Sequence, residues 1–257
     1  MRAALAAELL KIRTLRGTLW AAAAAVPAAA GPAALIGAGL RASYPELPAD
    51  QRAGFDPLFA GAYPIVFAQL ALVVLAVLAV GGEYASGTIR ASLLAVPRRG
   101  AFYRAKVLAV ALTGALAAAV TVPVSFLAGQ AALGPYGVSP GAPGVPGALV
   151  GAWLYLTLIT LFAAGFAALL RSPARALGVL LPLLFLGAQG LGNVPGLGSV
   201  LQYLPDQAGA VALRMAGPPE APVFDRDFGP WTGLAILAAW AAAALAAGYA
   251  AVRRRDV

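Results

Sequence analysis

Six long apolar stretches run through this chain, and none contains an Asp, Glu, Lys or Arg: Leu19 to Leu40, Leu58 to Val80, Val107 to Leu133, Leu149 to Leu170, Leu177 to Val194 and Trp231 to Val252. A helix of about 20 apolar residues crosses a hydrocarbon core about 30 Å thick. Inside that core every backbone N–H and C=O must be satisfied within the protein, as it is in a helix. The sequence therefore predicts an all-α, polytopic membrane protein with six transmembrane helices. Only 11% of the 257 residues are charged, against about 25% in soluble domains. Spans and loops together account for residues 1–257 as a single membrane domain. The fifth stretch is the weakest, being short and interrupted by Pro182, Gln189 and Asn193. The first is too long for the core of a signal peptide and is read as a span.

Charge divides the gaps into two sets. Arg2, Lys11, Arg13 and Arg16 precede the first span. Arg90, Arg98, Arg99, Arg104 and Lys106 separate the second from the third. Arg171 and Arg175 separate the fourth from the fifth, and Arg253, Arg254 and Arg255 follow the sixth. Those alternate segments hold all but Arg41, Arg52, Arg214 and Arg226 of the 18 basic residues. Acids divide the other way, with only Glu8, Glu83 and Asp256 on the basic side. Excess Lys and Arg marks the cytoplasmic side of a cell membrane. Both termini are expected there, as an even number of spans requires. The net charge of +8 is thereby read as a membrane-edge property rather than a nucleic-acid surface.

The chain has no Cys and no His. That removes thiolate metal sites, the commonest metal ligand and the commonest general base. The acids Asp225 and Asp227, beside Arg226, form the one acidic cluster and lie in an outer loop. An enzyme is disfavoured, and no metal or cofactor is assigned to the chain. No G-x-x-x-x-G-K-[ST] phosphate loop occurs, so ATP hydrolysis by that route needs another subunit. Ion-coupled carriers use ionisable groups within the membrane, and the spans carry none. Their few polar groups include Gln69, Gln130 and Gln189, candidates to line a substrate path; inter-helix hydrogen bonding is the simpler role. Pro195 to Pro230 is the longest outer loop. Its Leu197, Val200, Leu201, Leu204, Val211 and Leu213 suggest a short helix at the outer interface or a continuation of the fifth span.

Two segments carry more pattern than anchoring needs. In the head, Leu5, Leu9 and Ile12 share a helical face, with Glu8, Lys11 and Arg13 expected elsewhere and Glu8 and Lys11 three apart. This predicts an amphipathic interfacial helix. In Glu83 to Lys106, apolar sequence ends at Gly81-Gly82. Ser86 or Thr88 can cap a new helix with Ile89, Leu93 and Val96 on one face. Pro97 ends it, which would set Arg98 and Arg99 at its negative end.

In this second segment Glu83, Gly87-Thr88, Leu93-Leu94, Pro97, Arg99 and Lys106 resemble the pattern that follows the second span in permease subunits of bacterial type-2 ATP-binding-cassette (ABC) exporters. The head AELLKIRTLRGTLW and the Arg-Arg-Asp tail are similar to those of many members. The resemblance implies a permease dimer, with itself or a similar subunit, and a separate ATPase subunit holding ATP and Mg. The helix between the second and third spans would be a coupling helix. Glu83, Gly87, Thr88, Arg90, Pro97, Arg99 and Lys106 would then be contact residues for the ATPase. No large outer domain is present, which leaves the substrate class open, with drugs, antibiotics or lipids suiting an uncharged path. The alternatives are a passive channel, a secondary carrier, or a sensory or structural membrane subunit of an ABC-type complex.

Overall fold

The computed structural model describes residues 2–188, 197–214 and 226–254; within them the chain is helical and has no strand. The α-helices are α1 (Arg2–Thr14), α2 (Arg16–Ser43), α3 (Ala49–Ala53), α4 (Phe59–Ala62), α5 (Ile65–Ala85), α6 (Ile89–Ala95), α7 (Arg99–Leu133), α8 (Val145–Leu170), α9 (Pro173–Ala188), α10 (Gly198–Leu201), α11 (Pro205–Ala210) and α12 (Pro230–Arg254). Among the described residues five helical runs are long and apolar enough to cross a membrane: α2, the run Phe59–Ala85 containing α4 and α5, α7, α8 and α12. The chain is accordingly a multi-pass membrane protein.

Of the expected fifth span the structure describes the part up to Ala188, as helix α9, Pro173–Ala188. It starts ahead of Leu177 because Pro173 suits the first helical position. Gln189 and Asn193 lie outside the described residues. Elsewhere the helices outrun the apolar stretches. Helix α5 continues through Gly81-Gly82 to Ala85, and α7 begins at Arg99, well before Val107. Glu83 thereby becomes a last-turn residue of α5, and Lys106 lies about two turns inside α7.

Helix α5 is enclosed on most sides: Leu72, Val73, Leu75, Ala76 and Val77 are all fully buried. An element apolar all round belongs in the middle of a bundle. Helix α2 lays a stripe of small residues, Ala21, Ala25, Ala29, Ala33 and Gly37, into the bundle beside α5 and α7. In membranes, where water supplies no drive between helices, small residues permit the close approach that dispersion needs. Helices α8 and α12 make the other tight pair. A Cβ on Gly165 would lie 2.5 Å from Leu245 N and 2.7 Å from Ala244 O. Large side chains such as Trp20, Leu35 and Leu116 point outward, as lipid-facing positions do.

The described termini share one end of the bundle. Arg171 Nη2 donates to Ala251 O at 2.6 Å, and Arg99 Nη1 reaches Val252 O at 3.5 Å. Head, α6 and the ends of α8 and α12 all lie there, which groups the segments rich in Arg and Lys. At the opposite end Tyr44 stacks on Tyr136 at 4.0 Å between centroids. The described part of the long loop, residues 197–214, also belongs to that end but does not simply lie on it. Pro205 to Gly209 of α11 are buried and pack on α8, α9 and α12. Leu197 and Val200 are exposed and Leu213 is buried, so the near-helical spacing is divided among α10, α11 and a 3-10 turn, Val211–Arg214.

Candidate functional site

The segment between α5 and α7 is built as a surface helix over a buried ion cluster. Gly87 makes the reversal after α5 with φ +72°, a left-handed conformation that suits a residue without a Cβ. Thr88 occupies the N-cap position of α6, but its backbone is already helical and its hydroxyl makes no capping bond. It pairs instead with Ser86 Oγ at 2.8 Å. Ile89 is buried and anchors the helix; Leu93 and Val96 are half-buried. The chain then turns through Val96 and Pro97 into α7.

Beneath α6, four charges meet. Lys106 Nζ lies 2.5 Å from Glu8 Oε2 and 3.3 Å from Glu83 Oε2; the second is an ion pair without the alignment of a hydrogen bond. Lys11 Nζ lies 2.7 Å from Glu8 Oε1 and 2.6 Å from Glu83 Oε1. Ser92 of α6 joins the network, accepting from Lys11 at 3.0 Å and donating to Glu83 Oε1 at 3.3 Å. The ring of Phe102 lies 5.2 Å from Lys106 Nζ and 5.8 Å from Lys11 Nζ, a cation–π geometry. Two carboxylates and two ammoniums balance, which permits all four at a site where a lone buried charge would be costly. Burial by itself would lower the Lys11 pKa, but the hydrogen bonds to Glu8 and Glu83 outweigh it, and the net direction is upward.

The expected contact residues divide in two. Glu83 and Lys106 are 7% and 4% exposed, and their charges are directed inward to the head helix. Gly87, Thr88, Arg90 and Pro97 are exposed on the same surface. Arg99 is half-buried and corrects an expectation. It does not cap α6, which ends at Ala95, but opens α7 and reaches the last carbonyls of α12, Val252 O and Arg253 O. The negative helix end it serves is that of α12.

No protein-family model matches the chain, and no curated protein matches it. The residues themselves therefore carry the functional argument.

Glu8, expected on the polar side of the head, is 5% exposed beside the buried Ile12. The signal was present: position 8 falls three after Leu5 and four before Ile12, within the apolar stripe. Lys11, three residues from Glu8 and expected to pair with it, also holds Glu83 and is the second bridge. Ser92 had no distinguishing pattern. Leu94, half of the Leu-Leu pair, is 82% exposed and is the most prominent apolar feature of α6.

Gln69 and Gln130 are occupied separately. Gln69 Oε1 accepts from the Tyr155 hydroxyl at 2.5 Å in the core, while its Nε2 has no partner among the described residues. Gln130 Nε2 donates to Pro57 O and its Oε1 accepts from Val138 N, both at 2.8 Å, tying two outer connections to α7. The two share no partner, and Gln189 lies outside the described residues. Among the described residues no group of three His, Cys, Asp or Glu stands ready for a metal.

Proposed function

We propose that this chain is the membrane-spanning permease subunit of an ATP-driven exporter of the type-2 ABC kind, with six crossings and both termini in the cytoplasm. The observation that carries this reading is the construction of α6. It is a short helix between two crossing helices, fixed underneath by Ile89 and Ser92 and presenting Arg90 and Leu94 outward, with Pro97 exposed just beyond its end. A helix so exposed is a poor structural element but a suitable contact for a partner.

The ion cluster gives that contact a route inward. Ser92 and Glu83 join α6 to Lys11 of the head, and Lys106 joins both to the start of α7. A push on α6 from an ATPase subunit would shift head, second span and third span as one body. Hydrolysis, ATP and Mg belong to that partner, and a second permease subunit completes the path. The substrate is apolar or amphipathic, in keeping with spans that carry no charge along their apolar length.

Purification of the tagged chain from native membranes in mild detergent, with identification of its companions by mass spectrometry, tests the class. The expected result is a near-stoichiometric subunit with a phosphate-loop ATPase sequence. Its absence in several detergents and after crosslinking would remove this reading. Orientation is tested separately by reporter fusions. A fusion after Gly17 should report as cytoplasmic and one at Pro140 as external; the reverse would overturn the topology.

A further inference from the structure

We propose that the buried Gln69–Tyr155 pair is the polar end of a ligand site closed by Leu213, and that the site takes a small, uncharged apolar molecule carrying a hydrogen-bond acceptor such as a carbonyl oxygen. Gln69 is 1% exposed and Tyr155 is fully buried. The Tyr155 hydroxyl donates to Gln69 Oε1, so the donor left over is Gln69 Nε2, buried and without a partner among the described residues. An amide N–H left unmade in a dry interior is costly, and a position that keeps one is set up for an acceptor that comes and goes.

Two small cavities lead towards that donor along the seam between α5 and α8. One is lined in part by Ala62 and Val66 on the α4–α5 run and by Ala210 and Leu213. The other is lined in part by Ala62, Ile65, Ala152 and Leu213. Each holds about 20 Å³, room for one water. Gln69 comes three residues after Val66 and four after Ile65, and Tyr155 three after Ala152. The pair therefore stands one helical turn further in on the same faces of the two helices. Helix α11 ties the first cavity to the pair: next to Ala210, a Cβ on Gly209 would lie 2.6 Å from Tyr155 Cδ2.

Leu213 and Ala62 line both cavities. Ala62 belongs to a crossing run, whereas Leu213, 5% exposed, comes from the four-residue 3-10 turn Val211–Arg214. Such turns have poorer hydrogen bonds than an α-helix. Withdrawal of that one side chain would join the two spaces and open the seam towards Gln69. The walls are largely apolar. Asp56, the one carboxylate lining either cavity among the described residues, has Oδ1 accepting from Leu58 N at 2.9 Å. A neutral body suits the seam, and the amide N–H calls for an acceptor at its inner end. The inference rests on the permease reading only in making this ligand a transported substrate; closure and binding are tested without an ATPase, so either can fail alone.

The chain has no Cys, so Gln69→Cys provides a single thiol in the full-length protein, held in nanodiscs and treated with a charged, water-soluble methanethiosulfonate reagent. The thiol should be almost unreactive by itself and react at least about tenfold faster when Leu213→Ala is added. The milder Leu213→Val should give an intermediate rate. Leu180→Ala, an equal loss of bulk at another buried position, should not expose it. A reactive thiol with Leu213 in place, no gain with either Leu213 variant, or the same gain with Leu180→Ala would overturn the proposal. Binding is measured on the Leu213→Ala protein, or on Leu213→Val where the first does not extract folded, by equilibrium dialysis against empty nanodiscs. The probes are acetophenone and ethylbenzene, which has nearly the same shape without the carbonyl. Acetophenone should bind saturably, and Gln69→Leu should weaken it about five- to tenfold while leaving ethylbenzene unchanged. No saturable acetophenone binding, or equal effects of Gln69→Leu on the two probes, would leave Gln69 Nε2 to a bound water only and overturn the ligand assignment.

Discussion

Lys106 Nζ lies 2.5 Å from Glu8 Oε2, joining the third span to the head helix across 98 positions of sequence. Neither residue is accessible, and each has a second partner in the same cluster. The pair turns the head from a surface anchor into part of the bundle. It also explains how one charged residue from each of two crossing helices, Glu83 and Lys106, can be buried at the membrane edge.

Lys106→Met should be severely destabilising, because it leaves Glu8 and Glu83 sharing only Lys11. Breaking one partner of a buried pair typically costs about 3–5 kcal/mol. The double variant Glu8→Gln/Lys106→Met removes one charge of each sign and should recover a good part of that loss. Thermal unfolding of both variants in detergent, arranged as a double-mutant cycle with Glu8→Gln, measures the coupling. Strictly additive effects would show that the two charges do not depend on each other.

The α8–α12 contact makes a sharper steric prediction. At Gly165 the neighbours of a new side chain are backbone atoms of Ala244 and Leu245, which cannot rotate away. Gly165→Ala should cost about 1–3 kcal/mol by overpacking, and Gly165→Leu should prevent stable assembly. Gly178, where a Cβ would meet nothing, provides the control, and Gly178→Ala should be neutral or slightly stabilising. The readout is the fraction of folded protein after detergent extraction and heating.

Much of the architecture is legible in the sequence because hydrocarbon imposes it. Uninterrupted apolar runs locate all five long crossing helices, and the charge count groups the segments that meet at one end. Two kinds of feature escape. The first is tertiary: nothing local says that the Glu8–Lys11 pair meets Glu83 and Lys106, since Lys11 and Glu83 are 72 positions apart and Glu8 and Lys106 98. The second is the behaviour of helix ends. Gly81-Gly82 looks like a stop, yet α5 runs through it, since glycine weakens a helix by only about 1 kcal/mol and burial overrides that. Arg99 looks like a C-terminal charge for α6 and instead serves α12. The tucked position of α11 is illegible for the same reason as the cluster, for its neighbours are on α8, α9 and α12.

Asp206 gives a pH dependence of known sign. On α11 it is buried, with Oδ2 accepting from Gln207 Nε2 at 2.8 Å and Oδ1 without a partner among the described residues. Burial pushes its carboxyl from 3.8 to about 6, against the opposing pull of the Gln207 and backbone hydrogen bonds and the Arg226 charge. The folded protein thus binds more protons than the unfolded chain between roughly pH 4 and 6, so stability falls as pH rises through that window and levels off above it. Asp206→Asn keeps an acceptor for Gln207 and cannot ionise. It should be more stable than the parent at pH 7.5, by up to the order of 2–3 kcal/mol. The gap should close as the pH approaches 4. Parallel melting curves for the two proteins from pH 4 to 8 would rule out this assignment.

The exposed face of α6 separates a contact role from a structural one. Leu94 is 82% exposed and Arg90 is exposed, and neither touches the ion cluster beneath. Leu94→Asp and Arg90→Glu should therefore change thermal stability by no more than about 0.5 kcal/mol, the usual range for surface substitutions. If this face receives an ATPase subunit, each should nonetheless weaken co-purification, because an apolar anchor in an interface commonly carries 1 kcal/mol or more, about five- to tenfold in affinity. The combined variant should abolish it and, with it, export. Ser92→Ala offers the contrasting case. It removes two bonds to the cluster without altering the outer face, so it should leave ATPase binding intact while reducing transport per ATP hydrolysed. Full ATPase association and full transport in Leu94→Asp/Arg90→Glu would show that the partner docks elsewhere, whatever the fate of the cluster.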